Sequence, residues 1–192
     1  MNKKTIARVV FLACMMGVST SSMAAANQVD SSQANISGSF VASTCTVTQW
    51  PSDINFDPIS MSDWNTYSHS QKYQVKGQGN FVLANCPAKT QMKYTVTADD
   101  LAQGNPLQAL ARTADGKLIQ GMGISFSATE NFASEWYLDG REANLGSTND
   151  QGGLTVPAYV ALVKRAGPLM ADGKQWNGGA FNTIIRYTVS YD

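Results

Sequence analysis

Several stretches of this chain alternate apolar and polar residues with a period of two, and that pattern constrains its fold more than any other feature. Met92, Tyr94, Val96 and Ala98 alternate with Lys93, Thr95 and Thr97. Met122, Ile124 and Phe126 alternate with Gly123, Ser125 and Ser127. Val156, Ala158, Val160 and Leu162 repeat the pattern, as do Ile185, Tyr187, Val189 and Tyr191. Successive side chains of a strand point to opposite faces, so each stretch reads as a strand with one buried face. Helical periodicity is nearly absent.

Ser39–Val47 and Asn80–Cys86 are further strand candidates, and Ile54–Ile59 reads as a short one interrupted by Pro58. Turn clusters separate them, including Gly77-Gln78-Gly79, Gly104-Asn105-Pro106, Asp115-Gly116, Asp139-Gly140 and Gly152-Gly153. Pro106–Arg112 is expected to form a short helical turn. About seven strands with regular turns indicate an all-β, antiparallel sandwich of immunoglobulin-like class. Another small sandwich or a jelly roll is the alternative.

Lys3, Lys4 and Arg8 precede an apolar run from Val9 to Val18 and a small-residue end, Ala24-Ala25-Ala26. This is the pattern of a secretory signal, 1–24, with cleavage after Ala24 or after Ala26. The run is too short to span a bilayer. Phe11-Leu12-Ala13-Cys14 resembles a lipoprotein processing site only faintly, because Leu12 is bulky and the apolar run continues past the cysteine. Removing the signal leaves roughly 165–168 residues, one domain's worth. A formal net charge of zero gives no reason to expect nucleic acid as a partner.

Cys14 leaves with the signal, so Cys45 and Cys86 remain as an even pair in an oxidising compartment. A disulfide is the structural reading. A redox or metal site is the weaker one, since the chain has one histidine and the pair forms no C-x-x-C. Closing a loop of 41 positions stabilises by roughly 4 kcal/mol in the chain-entropy account.

Catalysis is not expected. His69 sits in the polar stretch Tyr67-Ser68-His69-Ser70, typical of a loop, and no G-x-S-x-G elbow or Gly-rich phosphate loop occurs. No metal or other cofactor is expected either. Glu135 and Asp139 flank Trp136 and Tyr137. Such aromatics suggest either a sugar-binding loop or, more commonly on a sandwich, packing lids.

A chain end is usually frayed, yet the last residues here carry one of the clearest strand patterns. Gly179 is fourteenth counting back from Asp192, Phe181, Ile185, Tyr187 and Val189 follow, and Tyr191 is penultimate. That constellation resembles the terminal signature of chaperone–usher pilus subunits of the type 1-like class. Gly38–Val47 resembles the family's first strand with its first cysteine. Phe81–Cys86 resembles the strand that brings in the second, and 166–173 the penultimate hairpin.

The resemblance implies an immunoglobulin-like sandwich, 38–192, that lacks its last strand. It implies a groove of unsatisfied backbone and apolar side chains, filled first by a periplasmic chaperone and then by the extension of the next subunit, as strand addition. The implied partners are that chaperone, an outer-membrane usher, neighbouring pilus subunits and, at a tip, a host receptor. The implied location is the cell surface, reached through the periplasm, and the implied role is adhesion by the fimbrium. Gly179, Phe181, Ile185, Tyr187, Val189, Tyr191 and Asp192 become the interaction motif, with the Asp192 carboxylate anchored by the chaperone.

The donor segment is then 25–37. Counting back from Ile36, its face holds Ala34, Ser32, Asp30 and Gln28. Only two of these are apolar, and Asp30 in an apolar pocket is costly unless paired. Shaft or minor subunit and single-domain tip subunit both stay open, as does a self-contained exported binding module.

Overall fold

A computed structural model describes Ser37, residues 44–170, Gly173 and residues 178–192. The expected signal segment, the expected donor positions Asp30, Ser32, Ala34 and Ile36, most of the expected first strand and the 171–172 part of the expected hairpin region lie outside the described residues. Chain contacts divide the molecule into Met1–Phe40 and Val41–Asp192.

Among the described residues of the second unit, the regular structure is nearly all strand. In chain order come β1 (Thr46–Gln49), α1 (Met61–Thr66), β2 (Lys72–Ala84), β3 (Gln91–Ala98), β4 (Leu101–Ala102), β5 (Asn105–Thr113), β6 (Leu118–Ser127), β7 (Ala143–Ser147), β8 (Leu154–Lys164), β9 (Phe181–Asn182) and β10 (Ile185–Ser190). One sheet runs β1-β2-β8-β6-β5-β4, with β9 also on β5; the other runs β10-β3-β7. Every pairing is antiparallel.

Between the sheets lies the core that the alternation foretells. Phe81 and Leu83 of β2, Ile124 and Phe126 of β6, and Val160 and Leu162 of β8 face Met92, Tyr94 and Val96 of β3. Trp136 and Leu138, from the segment between β6 and β7, close the same core. Trp136 packs on Phe81, Tyr94 and Tyr187, so it is a packing lid. Tyr137 stays exposed with the Arg141 guanidinium over its ring. Cys45 and Cys86 form the expected disulfide.

Three expectations are corrected. Pro106–Arg112 is not a helical turn but the body of β5, paired with β6. Its alanines, leucines, glutamine and arginine favour helix. Burial of Ala109, Leu110 and Ala111 against the core overrides that weak preference. β6 and the later part of β8 were expected to bury one face and instead bury both: in β8, Ala161 and Val163 are as buried as Val160 and Leu162. Ser125 and Ser127 are 0% exposed, and Ser127 Oγ donates to the Ser134 carbonyl of the loop folded over it, at 2.9 Å. Finally, residues 61–66 form one short helix where none was foreseen. Ser60 caps it, its hydroxyl accepting from the Asp63 amide at 3.0 Å, and buried Trp64 pins it to the core.

Beside the disulfide the backbone closes tightly. The Cys86 amide donates to the Gly152 carbonyl at 3.1 Å. Gly152 has φ +73°, and an added Cβ there would lie 2.0 Å from the Cys86 carbonyl oxygen. Only glycine meets both demands.

Candidate functional site: an open cleft beside the last strand

Beyond β1 the chain continues along β2 without forming a regular ladder. The Ser52 amide and hydroxyl both donate to the Gln78 carbonyl at 2.8 Å. Lys76 Nζ donates to the Asn55 carbonyl at 3.0 Å and to Asp57 Oδ1 at 2.9 Å. The Gln74 amide side chain accepts from the Asp57 N–H at 2.9 Å and donates to its carbonyl at 3.2 Å. Side chains of β2 therefore hold residues 52–57 extended, where β-ladder bonds would otherwise do so. Ile54–Ile59, expected as a strand, is this side-chain-tethered wall.

The opposite wall is the C-terminal segment. β10 pairs with β3 from Ile185↔Ala98 to Ser190↔Lys93. Among the described residues no strand pairs with its other edge. Alternate backbone groups of an edge strand point away from its neighbour and need a partner.

Two adjoining cavities separate the walls, of about 360 and 340 Å³. They share Ile54, Asn55, Phe56 and Phe181. Because residues 51–56 face 181–187 in one cavity and 54–61 face 178–181 in the other, the two walls run in opposite directions. The Phe56 and Phe181 rings stack across the junction, 6.4 Å between centroids.

The two ends differ in chemistry. At one, Ile59, Met61, Trp64, Met122 and Leu169 make an apolar lining with Phe181. At the other, an apolar floor of Ile124, Phe126 and Val160 is rimmed by Ser52, Asp53, Gln78, Asn182 and Thr183. There the Tyr187 hydroxyl donates to Gln78 Oε1 at 3.1 Å, and Gln78 Nε2 donates to the Ser52 carbonyl at 3.2 Å. This relay ties β10 through β2 to the far wall. Burial pushes the Tyr187 phenol up from its ordinary range, and the bond to Gln78 opposes this. Thr183 Oγ1 is buried without a hydrogen-bond partner.

Gly179 and Phe181 line the apolar end, while Ile185 and Tyr187 line the polar one. Val189 packs against the core further along β10. Tyr191 and Asp192 follow β10 and are exposed. The Asp192 side chain pairs with Lys93, which also meets Glu142 at 3.1 Å. Both carboxylates raise the Lys93 pKa, Asp192 the more.

The structure therefore gathers four of the seven C-terminal motif residues around one cleft. Sequence reasoning missed Phe56 and Met61 on the wall facing the motif, Gln78 of β2 and Thr183 beside the motif residues themselves. The apolar spacing of Ile54, Phe56 and Ile59 was a visible signal, but which wall it faced was not. His69 is exposed, Glu135 pairs with Lys72 and Asp139 with Arg141. Among the described residues no group of three or more His, Cys, Asp or Glu is placed to hold a metal ion.

No family model and no curated protein matches the chain. Solved structures do. One is a subunit from the structure of a chaperone–usher pilus concerned with rod uncoiling: 16% identity, TM-score 0.57, covering 88% of this chain and 100% of that one. Another is the P pilus rod subunit PapA: 17% identity, TM-score 0.56, covering 77% of this chain and 99% of that one. With its two antiparallel sheets, its Cys45–Cys86 bridge and a C-terminal strand that, among the described residues, forms a sheet edge, the chain has the pilin fold.

Proposed function

We propose that this chain is a structural subunit of a chaperone–usher pilus, assembled by donor-strand exchange and carried through the periplasm to the cell surface, where the fimbrium supports adhesion. The observation that carries this reading is the open edge of β10 beside a cleft floored by core residues. A strand laid there would satisfy the outward backbone groups and cover Ile185, Tyr187 and Phe181 in one step. The likeness in fold to pilus rod subunits supports the same reading. A periplasmic chaperone is the first occupant, an outer-membrane usher the assembly site, and a neighbouring subunit the final partner. The work is binding, not catalysis.

The test is to produce the full chain in a periplasm with and without a pilus chaperone. Expected are a one-to-one complex and slowed amide exchange across 185–190 within it. A chain that accumulates alone as a stable monomer, with those amides already protected, refutes the reading.

A further inference from the structure

Arg165 carries a positive charge that nothing in its own molecule balances. Among the described residues the other three arginines are each clamped by a carboxylate: Arg112 by Asp100 at 2.7 Å, Arg141 by Asp139 at 2.6 Å, and Arg186 by Asp99. Arg165 follows β8 and is half-buried, yet it meets only neutral oxygens. Its Nε donates to the Gln120 carbonyl at 3.0 Å and its Nη1 to Gln108 Oε1 at 3.1 Å. We infer that Arg165 and Gln108 form a carboxylate site on the outer face of the large sheet, and that Glu130 of a second copy of this chain fills it. The site lies apart from the cleft and does not depend on what occupies the cleft.

The site is built into the sheet. Gly123 of β6 alternates with Met122 and Ile124, whose side chains join the core, so position 123 faces outward. A Cβ there would lie 2.9 Å from Gln108 Oε1 and 3.2 Å from Arg165 Cδ. The strand is bare where these two side chains cross it. Nε and one hydrogen of Nη1 are engaged. The second Nη1 hydrogen and both on Nη2 are left, and Gln108 Nε2 donates to nothing among the described residues. Donors alone converge there. The Nη1–Nη2 edge is the fork that a carboxylate grips with two parallel bonds. Neighbouring Lys164 turns its Nζ to the Asn65 carbonyl at 2.9 Å, so the site offers one positive charge and a monoanion balances it. Burial pulls the Arg165 guanidinium below its ordinary range, with no carboxylate opposing this. A partly desolvated charge is costly until a counter-ion reaches it.

One fork holds a free small carboxylate poorly, because a single ion pair contributes little against lost translational freedom. The carboxylate must arrive on a protein surface, and this chain presents one. Glu130 is exposed and meets no cation among the described residues. It stands in the turn after β6, and that turn is braced. The Thr129 amide donates to Ser127 Oγ at 3.0 Å, the Phe132 amide to the Thr129 carbonyl at 3.0 Å, and the Ala133 amide to Thr129 Oγ1 at 3.2 Å. Phe132 is buried beneath Lys72 Nζ and anchors the turn. A braced turn loses little freedom on docking. Asp53 and Asp63 also meet no cation among the described residues, but Asp53 lies on the cleft rim and Asp63 in the first turn of α1.

Sedimentation of the full chain at rising concentration tests this. The chain is bound to a pilus chaperone, or alone if it folds alone, so the outcome is separate from that of the proposed function. The variants are Arg165→Glu and Glu130→Arg, each of which sets like charges at the contact. Expected is self-association of the unmodified chain that weakens with salt, and about tenfold weaker association of each variant by itself. Mixing the two variants should restore association, because each supplies the charge that the other lacks. Glu130 is an exposed turn residue, so its variant should fold. If Arg165→Glu does not fold, Arg165→Gln replaces it and must weaken association by itself. Absence of self-association up to about 1 mM, unchanged association of Glu130→Arg, or no recovery on mixing two folded charge-reversed variants overturns the inference.

Discussion

Replacing Tyr187 with phenylalanine tests whether the polar relay, and not the ring alone, couples the two walls of the cleft. Tyr187→Phe keeps the contacts with Phe81 at 5.3 Å and Trp136 at 6.4 Å. It removes only the donor that reaches Gln78 Oε1 at 3.1 Å. Gln78 is 8% exposed, so solvent cannot easily replace the lost partner. Leaving a buried acceptor unsatisfied costs about 1–3 kcal/mol. That corresponds to a fall in thermal midpoint of roughly 2–4 °C per kcal/mol for a chain of this size. Removing the other partner as well changes the expectation. In Tyr187→Phe with Gln78→Met the acceptor is gone, so the double variant should lose less than the sum of the singles, by about 1 kcal/mol. Urea unfolding of the refolded full chain measures all four corners, with equal slopes required for the comparison. Additive singles, or a Tyr187→Phe cost below about 0.5 kcal/mol, would refute the relay and leave the tyrosine a packing residue only.

Three further outcomes follow from the same geometry. Gly152→Ala should destabilise by about 3 kcal/mol, combining left-handed backbone strain with loss of the Cys86–Gly152 bond; an unchanged urea midpoint would contradict the close approach. Cys45→Ser with Cys86→Ser opens a loop of 41 residues and should cost roughly 4 kcal/mol, read as a lower urea midpoint of the refolded chain. Stability should also fall as pH rises from about 10. Burial favours the neutral phenols of Tyr187 and of Tyr94, the latter pushed up to about 12 from 10.0. Above pH 10 the unfolded chain holds fewer protons than the folded one, so the slope is negative until the folded groups titrate. Alkaline melts of Tyr94→Phe and Tyr187→Phe should show shallower losses.

The strands whose sequences alternate were recognisable because a half-buried strand needs no partner's identity to betray its face. β3, β8 and β10 fall where the alternation of Met92–Ala98, Val156–Leu162 and Ile185–Val189 puts them. β5 was not recognisable, because Leu107, Gln108, Ala109 and Leu110 are helix formers and only pairing with β6 makes them strand. The wall at 52–57 was equally hidden. Its extended form depends on Gln74, Lys76 and Gln78, some twenty residues away in sequence, whose side chains replace a ladder.

Sequence by itself determined the all-β class, the pairing of Cys45 with Cys86, and a C-terminal strand with one apolar face. Those are local or combinatorial matters, settled by side-chain period and by Cys45 and Cys86 being the two cysteines outside the N-terminal apolar run. The tertiary structure alone decided that the face of β10 meets a cleft and not a closed core, and that the cleft is apolar at one end and hydrogen-bonding at the other. Both properties arise where residues 51–61, Gln78 and 178–187 converge. Convergence of segments so far apart in the chain is fixed by packing of the whole sandwich, which no local pattern encodes.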